Sequence, residues 1–120
     1  MARLTNTPEA FARKADLEAE LRRILPIIIG QYQPEKIILF GSLATDQVHE
    51  WSDIDLAVIK ETPLNYFDRL FEFKKILRSK LATDVFLYRP HEFAGRIAEK
   101  NFFFVDEILE KGRVLYERNA

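Results

Sequence analysis

The fold of this chain is decided by residues 39–59, which read LFGSLATDQVHEWSDIDLAVI. A short apolar segment, 36–40, ends abruptly at Gly41, and a second one, 52–60, is apolar apart from its acidic beginning. Short apolar runs of this composition, bounded by glycine or polar residues, are typical of buried strands. Between them, residues 43–47 favour a short helix and residues 48–50 a loop. The stretch therefore predicts a strand, a sharp turn and a second strand.

A long helix is predicted before this stretch. Residues 7–9 (TPE) form a start signal, because threonine caps a helix, proline suits its first position and a carboxylate favours its positive end. Apolar residues then recur at spacings of four, three and four, at Leu17, Leu21, Ile24 and Ile28. Pro26 lies inside this stripe and is expected to kink or split the helix, which Gly30 and Pro34 then close.

Helices and strands alternate again after the stretch. Thr62-Pro63 repeats the start signal, and apolar residues at helical spacing as far as Leu81 predict a helix of about 18 residues. The remaining predicted elements are a strand over 84–88, a helix from Pro90 to about residue 100, a helix over 103–111 ended by Gly112, and an edge strand over 113–116. Lys74, Lys75, Arg78 and Lys80 are expected to lie on the solvated face of the long helix. A basic face can also contact an acidic partner, and the sequence leaves both readings open.

The order of these elements predicts an α/β (α+β) layer fold, with a single small mixed sheet flanked by helices. A length of 120 residues suits one domain, 1–120, with a core of its own. The pattern leaves the direction of the individual strands open.

Composition narrows the classes of function. The net charge of −1 provides no overall basic field, so direct nucleic-acid binding is not expected. The absence of cysteine excludes disulfides and thiolate metal sites. The first ten residues lack the apolar core of a signal peptide, and the apolar runs fall short of the roughly 20 residues that a membrane span needs. We therefore expect no membrane association and a cytoplasmic location.

Asp53 and Asp55 are the first candidates for chemistry. In a strand, residues i and i+2 point to the same face, so both carboxylates would project together. Two carboxylates this close repel each other, and either one takes up a proton or a cation lies between them. Hard oxygen ligands suit Mg²⁺ or Mn²⁺. The alternative is a strand end that is simply polar.

Asp84 is the third candidate. It begins the strand that follows the long helix, and it can reach the first pair if the two strands are neighbours. Three converging carboxylates could hold two metal ions, which clamp the attacking and leaving oxygens in phosphoryl-type transfer. The alternative is a strand-initiating aspartate that caps a turn.

Gly41 and Ser42 are the candidates for phosphate binding. Glycine lets the backbone approach a ligand closely, N–H groups at a helix start bind phosphate, and Ser42 adds a hydroxyl donor. The alternative is a tight turn with Ser42 as a helix cap.

Taken in order, these features resemble the DNA polymerase β-like nucleotidyltransferase superfamily, whose signature is Gly-Ser, a spacer of about ten residues, and Asp-x-Asp. The chain is most similar to its minimal nucleotidyltransferase (MNT) family, through residues 39–59 and through DVFLY at 84–88. The resemblance implies that Gly41 and Ser42 hold a triphosphate. It also implies that Asp53, Asp55 and Asp84 bind two Mg²⁺ ions, with Asp84 helping to deprotonate an acceptor hydroxyl.

The same resemblance implies an activity and a partner. The reaction would transfer AMP from ATP, with release of pyrophosphate, to a tyrosine of a HEPN-domain ribonuclease encoded nearby. The pair would act as toxin and antitoxin. The oligomeric state stays open.

Two positions depart from the family pattern. Leu43 stands where an arginine is common, and Asp46 stands where a glycine is usual, so that its carboxylate would repel a triphosphate nearby. An alternative is therefore a non-catalytic antitoxin that neutralises its partner by contact alone. A response-regulator receiver fits less well, because that fold needs adjacent acids near its first strand and a late lysine.

Overall fold

A computed structural model of the chain describes residues 7–118. Four strands and four α-helices alternate with two π-helical segments. The α-helices are α1 (Pro8–Ile27), α2 (Gly41–Ala44), α3 (Tyr66–Leu77) and α4 (Pro90–Ala98). The strands are β1 (Lys36–Phe40), β2 (Ile54–Ile59), β3 (Thr83–Tyr88) and β4 (Arg113–Glu117). The π-helical segments are Ile28–Tyr32, directly after α1, and Phe104–Glu110, before β4. No helix within residues 7–118 is both long enough and apolar enough to cross a membrane.

The strands form one mixed sheet in the order β3-β2-β1-β4. β1 pairs antiparallel with both β2 and β4, whereas β2 and β3 run parallel. A parallel pair needs a crossover connection, and α3 supplies it. The predicted single mixed sheet flanked by helices is thus confirmed, and β4 lies at an edge as predicted.

Each face of the sheet is covered by a different set of helices, because successive side chains of a strand point to opposite faces. On one face, α1 and α3 bury Ile37, Leu39, Leu56 and Leu87 together with Phe73 of α3. On the other, the second π-helical segment and α4 cover an aromatic layer. Its members include Phe40, Phe86, Tyr88, Phe93 and Phe104. Each fully buried large side chain contributes about 1.5–3 kcal/mol.

The helix around Pro26 is not split. α1 passes through Pro26 to Ile27 and then continues as a π-helical turn, which Gln33 ends in the left-handed region at φ 56°. Ile24 and Ile28, on either side of the proline, are both fully buried. Their burial offsets the roughly 3 kcal/mol that an interior proline costs a helix.

Several helices begin or end at residues other than those predicted. α3 is shorter than predicted: it begins after Asn65, whose Oδ1 accepts a hydrogen bond from Asp68 N–H (3.0 Å), and it ends at Arg78, which is left-handed at φ 44°. The Thr62 hydroxyl instead accepts from Leu64 N–H (3.2 Å) and forms a turn. α2 starts at Gly41 rather than residue 43, and the predicted helix over 103–111 contains the seven-residue π-helical segment.

Candidate active site

The register of the sheet places the candidate residues next to one another across the strands. Phe40, the last residue of β1, pairs with Asp55 of β2, and Asp55 pairs with Asp84 of β3. Gly41 directly follows Phe40. The Gly-Ser turn, the Asp-x-Asp pair and the third aspartate therefore stand in a row across three neighbouring strands.

Asp53, Asp55 and Asp84 form a cluster at this level. One carboxylate oxygen from each lies within 4.8 Å of the others. Asp53 lies one residue before β2 rather than within it, yet its carboxylate still reaches that of Asp55. The parallel pairing of β2 and β3 meets the condition under which Asp84 was expected to join them.

The cluster holds more negative charge than its surroundings can stabilise. Burial, followed by the charge of Asp53 and a hydrogen bond with it, raises the pKa of Asp55 to about 7. A hydrogen bond with Asp53, then burial and the charge of Asp53, raises the pKa of Asp84, while the charge of Lys74 lowers it. Without a cation the cluster therefore retains a proton that an isolated carboxylate would lose. Three converging hard oxygen donors are a donor set that fits Mg²⁺.

Residue 41 must be a glycine because it contacts this cluster. Its φ of +75° lies in the left-handed region, and a Cβ atom built there would overlap Oδ2 of Asp55. The backbone of Gly41 thus lies directly against the carboxylate. The sequence predicts a close approach to a ligand here, and the structure adds a close approach to Asp55.

The Ser42 side chain is held by a residue outside the predicted site. Its Oγ donates to Oγ of Ser52 (2.8 Å), which also accepts from the N–H of His49 (2.9 Å). Ser52 is buried, and its carbonyl accepts from Nε of Arg13 on α1 (2.8 Å). The available signal was a hydroxyl directly before Asp53, at the start of an otherwise apolar segment.

Asp46 adopts the left-handed conformation, with φ at 58°. Glycine reaches this region without strain, so it would suit this position better than an aspartate does. The Asp46 side chain is 74% exposed and its carboxylate lies 2.6 Å from Nζ of Lys14. It therefore points to solvent and an ammonium group, which removes much of the repulsion expected from the sequence.

A groove opens beside Asp84 on the side away from Gly41. It has a volume of about 520 Å³ and runs between α3 and β3. Tyr66, Lys74 and Arg78 contribute to one side of it, and Asp84 and Phe86 to the other. The carboxylate cluster thus has the Gly-Ser turn on one flank and an open groove on the other.

Comparison with known proteins points to nucleotidyltransferases. The family model described as polymerase beta, nucleotidyltransferase, matches residues 22–120. The "Putative protein adenylyltransferase MJ0604" of Methanocaldococcus jannaschii is 34% identical over 82 residues, which are 68% of this chain and 78% of that protein. A crystal structure of a "putative nucleotidyltransferase" from Sulfolobus solfataricus superposes with a TM-score of 0.65 at 16% identity. The superposition covers 94% of this chain and 91% of that one, and it shows a shared fold.

Proposed function

Because this chain belongs to the polymerase beta nucleotidyltransferase family, we propose that it transfers AMP from ATP to a hydroxyl group of a protein. The observation that carries the proposal is the row formed by Gly41–Ser42, Asp53/Asp55 and Asp84, which sets a candidate phosphate-binding turn beside a candidate metal-binding cluster. The name of the Methanocaldococcus jannaschii relative supports a protein as the acceptor.

The Gly-Ser turn would bind the triphosphate. Gly41 has no side chain to keep phosphate oxygens from the backbone, and Ser42 offers a hydroxyl whose present partner is Ser52. Asp53, Asp55 and Asp84 would hold two Mg²⁺ ions. When bound, these ions neutralise phosphate charge and stabilise the attacking and leaving oxygens.

Asp84 is proposed to accept the proton of the acceptor hydroxyl. Asp84 is the member of the cluster that lines the open groove, so it lies where an acceptor hydroxyl can enter. The acceptor oxygen forms a bond to the α-phosphorus of ATP while the bond from that phosphorus to the bridging oxygen of pyrophosphate breaks. The products are an AMP ester of the acceptor, pyrophosphate and a protonated Asp84.

The acceptor and the biological role are proposed from the resemblance to minimal nucleotidyltransferases. The proposed acceptor is a tyrosine of a HEPN-domain ribonuclease toxin encoded nearby, so that this chain acts as its antitoxin. Because ATP is the proposed substrate, the cytoplasm is the proposed location of the reaction. The alternative of neutralisation by contact alone rested on Asp46, and the ion pair with Lys14 weakens that argument.

Incubation with α-labelled ATP, Mg²⁺ and the product of the neighbouring gene tests the proposal. We expect labelled partner protein with the wild type, and no label with Asp53→Asn or Asp55→Asn. Asp16→Asn makes the same change at an exposed residue of α1 and should retain transfer. Full transfer by the Asp53→Asn/Asp55→Asn double variant would refute the catalytic assignment. Toxin neutralisation by that variant without transfer would favour the binding module.

A further inference from the structure

The groove beside Asp84 lies on the side from which an acceptor must approach. Gly41, Asp55 and Asp84 follow one another across β1, β2 and β3. In phosphoryl-type transfer, the attacking and leaving oxygens lie roughly in line with the phosphorus. If pyrophosphate leaves at the Gly41–Ser42 turn, the attacking hydroxyl comes from the β3 side, where the groove opens.

One wall of this groove is the free edge of the sheet. β3 is an edge strand, and its only strand neighbour among residues 7–118 is β2. The carbonyls of Ala82 and Tyr88 both accept hydrogen bonds from β2-side N–H groups (3.1 and 2.9 Å). Because consecutive strand residues direct their backbone groups to opposite sides, those of Thr83 and Val85 point away from β2. Both residues line the groove, so it offers backbone groups that an extended chain can pair with.

The charged side chains of the groove favour an acidic occupant. Lys74 and Arg78 line it and are exposed, whereas Asp84 is its one acidic lining residue among residues 7–118. The lining therefore carries two cationic side chains against one carboxylate, an excess of positive charge. Apolar side chains, including Tyr66 and Leu70, complete its floor and can contact the other face of a bound strand.

From these three observations we propose that the groove binds an extended, acidic segment of the acceptor protein. The segment pairs with the edge of β3 as an added strand, which places its hydroxyl-bearing residue beside Asp84. β-strand addition of this kind is a recurring mode of peptide recognition. The inference rests on the proposed function for the role of the bound segment as acceptor.

The test uses two labelled peptides, Glu-Glu-Val-Tyr-Val-Glu-Glu and its counterpart with lysine in place of every glutamate. We expect the acidic peptide to bind the wild type at least tenfold more tightly than the basic one. Arg78→Glu should weaken its binding by about tenfold, since attraction is replaced by repulsion. Lys75→Glu is the matched control, because Lys75 lies on the same helix and lines a different surface depression. Its binding should be unchanged.

A second measurement tests the strand pairing. N-methylation of alternate amides removes N–H donors from one edge of the peptide at a time. One of the two methylation patterns should abolish binding and the other should preserve it. Equal loss with both patterns would refute pairing with β3.

The remaining outcomes separate this inference from the proposed function. Unchanged binding to Arg78→Glu, equal affinity for both peptides, or competition between ATP and the acidic peptide would each overturn the acceptor groove. Binding that meets every expectation without transfer of labelled AMP to the peptide tyrosine or to the neighbouring gene product would retain the groove and refute the proposed activity.

Discussion

Gly41 and Asp55 are in such close contact that no side chain fits between them. A Cβ atom on Gly41 would point at Oδ2 of Asp55 and overlap it. The φ of +75° at Gly41 is also one that other residues rarely adopt. The turn that would bind phosphate and the carboxylate that would bind metal can therefore lie in contact only because residue 41 has no side chain.

Gly41→Ala is therefore expected to damage both stability and activity. The left-handed backbone alone costs about 1–2 kcal/mol for an alanine, and the overlap with Asp55 must also be relieved. We expect the free energy of unfolding to fall by at least about 2 kcal/mol in denaturant titrations, together with loss of metal binding. Gly30→Ala is the control, because a Cβ there meets no atom within 4 Å. Equal stability of the two variants would contradict the assignment.

Asp55→Asn should stabilise the metal-free protein at alkaline pH. The pKa of Asp55 is raised to about 7 in the folded state from an ordinary value near 4, so the folded state binds more protons between those limits. Stability should therefore fall as pH rises through this window. Asp55→Asn should remove that decline and gain on the order of 2 kcal/mol at pH 8. Urea titrations from pH 4 to pH 8 measure the effect, and a parallel pH dependence in the variant would refute it.

Metal binding should release protons below pH 7. The cluster retains a proton that a divalent cation displaces, because the cation favours the charged carboxylates. Calorimetric titration with Mn²⁺ at pH 6.5, in buffers of different ionisation enthalpy, should show this release. It should diminish at pH 8.5. A binding enthalpy independent of the buffer at pH 6.5 would show that the cluster is already deprotonated.

Ser52→Ala should affect nucleotide binding through Ser42. The change removes the acceptor of the Ser42 hydroxyl and of the His49 N–H, at a buried position. We expect a loss of about 1 kcal/mol in stability and a rise in KM for ATP larger than the fall in kcat. In a double-mutant cycle with Ser42→Ala, the two effects on KM should not add. Additive effects would mean that Ser52 acts independently of Ser42.

Glu20→Gln should destabilise the fold and change its response to acid. This buried carboxylate on α1 accepts hydrogen bonds from Arg23, the Ser79 hydroxyl and the Lys80 N–H. The hydrogen bond with Arg23 is the largest of the effects that lower its pKa to about 2. Since the folded pKa lies below the unfolded one, its stabilisation is present above about pH 4.5 and is lost as pH falls toward 2. Glu20→Gln should cost about 3 kcal/mol at pH 7.

Thermal unfolding from pH 2 to pH 7 checks this prediction. The difference between wild type and Glu20→Gln should shrink on acidification. Glu18→Gln, at an exposed position on the same helix, should leave the curve unchanged. A constant difference across the range would mean that Glu20 acts through packing rather than charge.

Sequence patterns predicted the features that depend on local chemistry. The apolar runs marked every strand, and the spacing of Asp53 and Asp55 placed them together. Asp84 lies beside Asp55 only because β2 and β3 pair in parallel. The residue pattern along a single strand does not predict which strand it pairs with. Membership of the polymerase beta nucleotidyltransferase family, in contrast, is predictable from the motif alone.

The missed features depend on tertiary contacts. Apolar residues recur at helical spacing as far as Leu81. In the structure, Arg78 adopts the left-handed conformation and ends the helix, and Leu81 packs on the core from a loop. The prediction that Pro26 kinks or splits α1 does not foresee that burial of Ile24 and Ile28 on either side of it maintains the helix. No pattern in the sequence predicts that Ser52 forms hydrogen bonds with Arg13 of α1, His49 of the spacer and Ser42 of the Gly-Ser turn.

The sheet order also has a consequence for the folding kinetics of this chain. Asp53 and Asp55 come together as soon as β2 forms, whereas Asp84 arrives only after α3 has closed a long crossover and β3 has docked in parallel. Such non-local pairing is slow, because loop-closure entropy must be overcome before the contacts form. A metal ion that requires all three carboxylates should therefore bind only after β2 and β3 have paired. Tb³⁺ luminescence during refolding would then report the docking of β3.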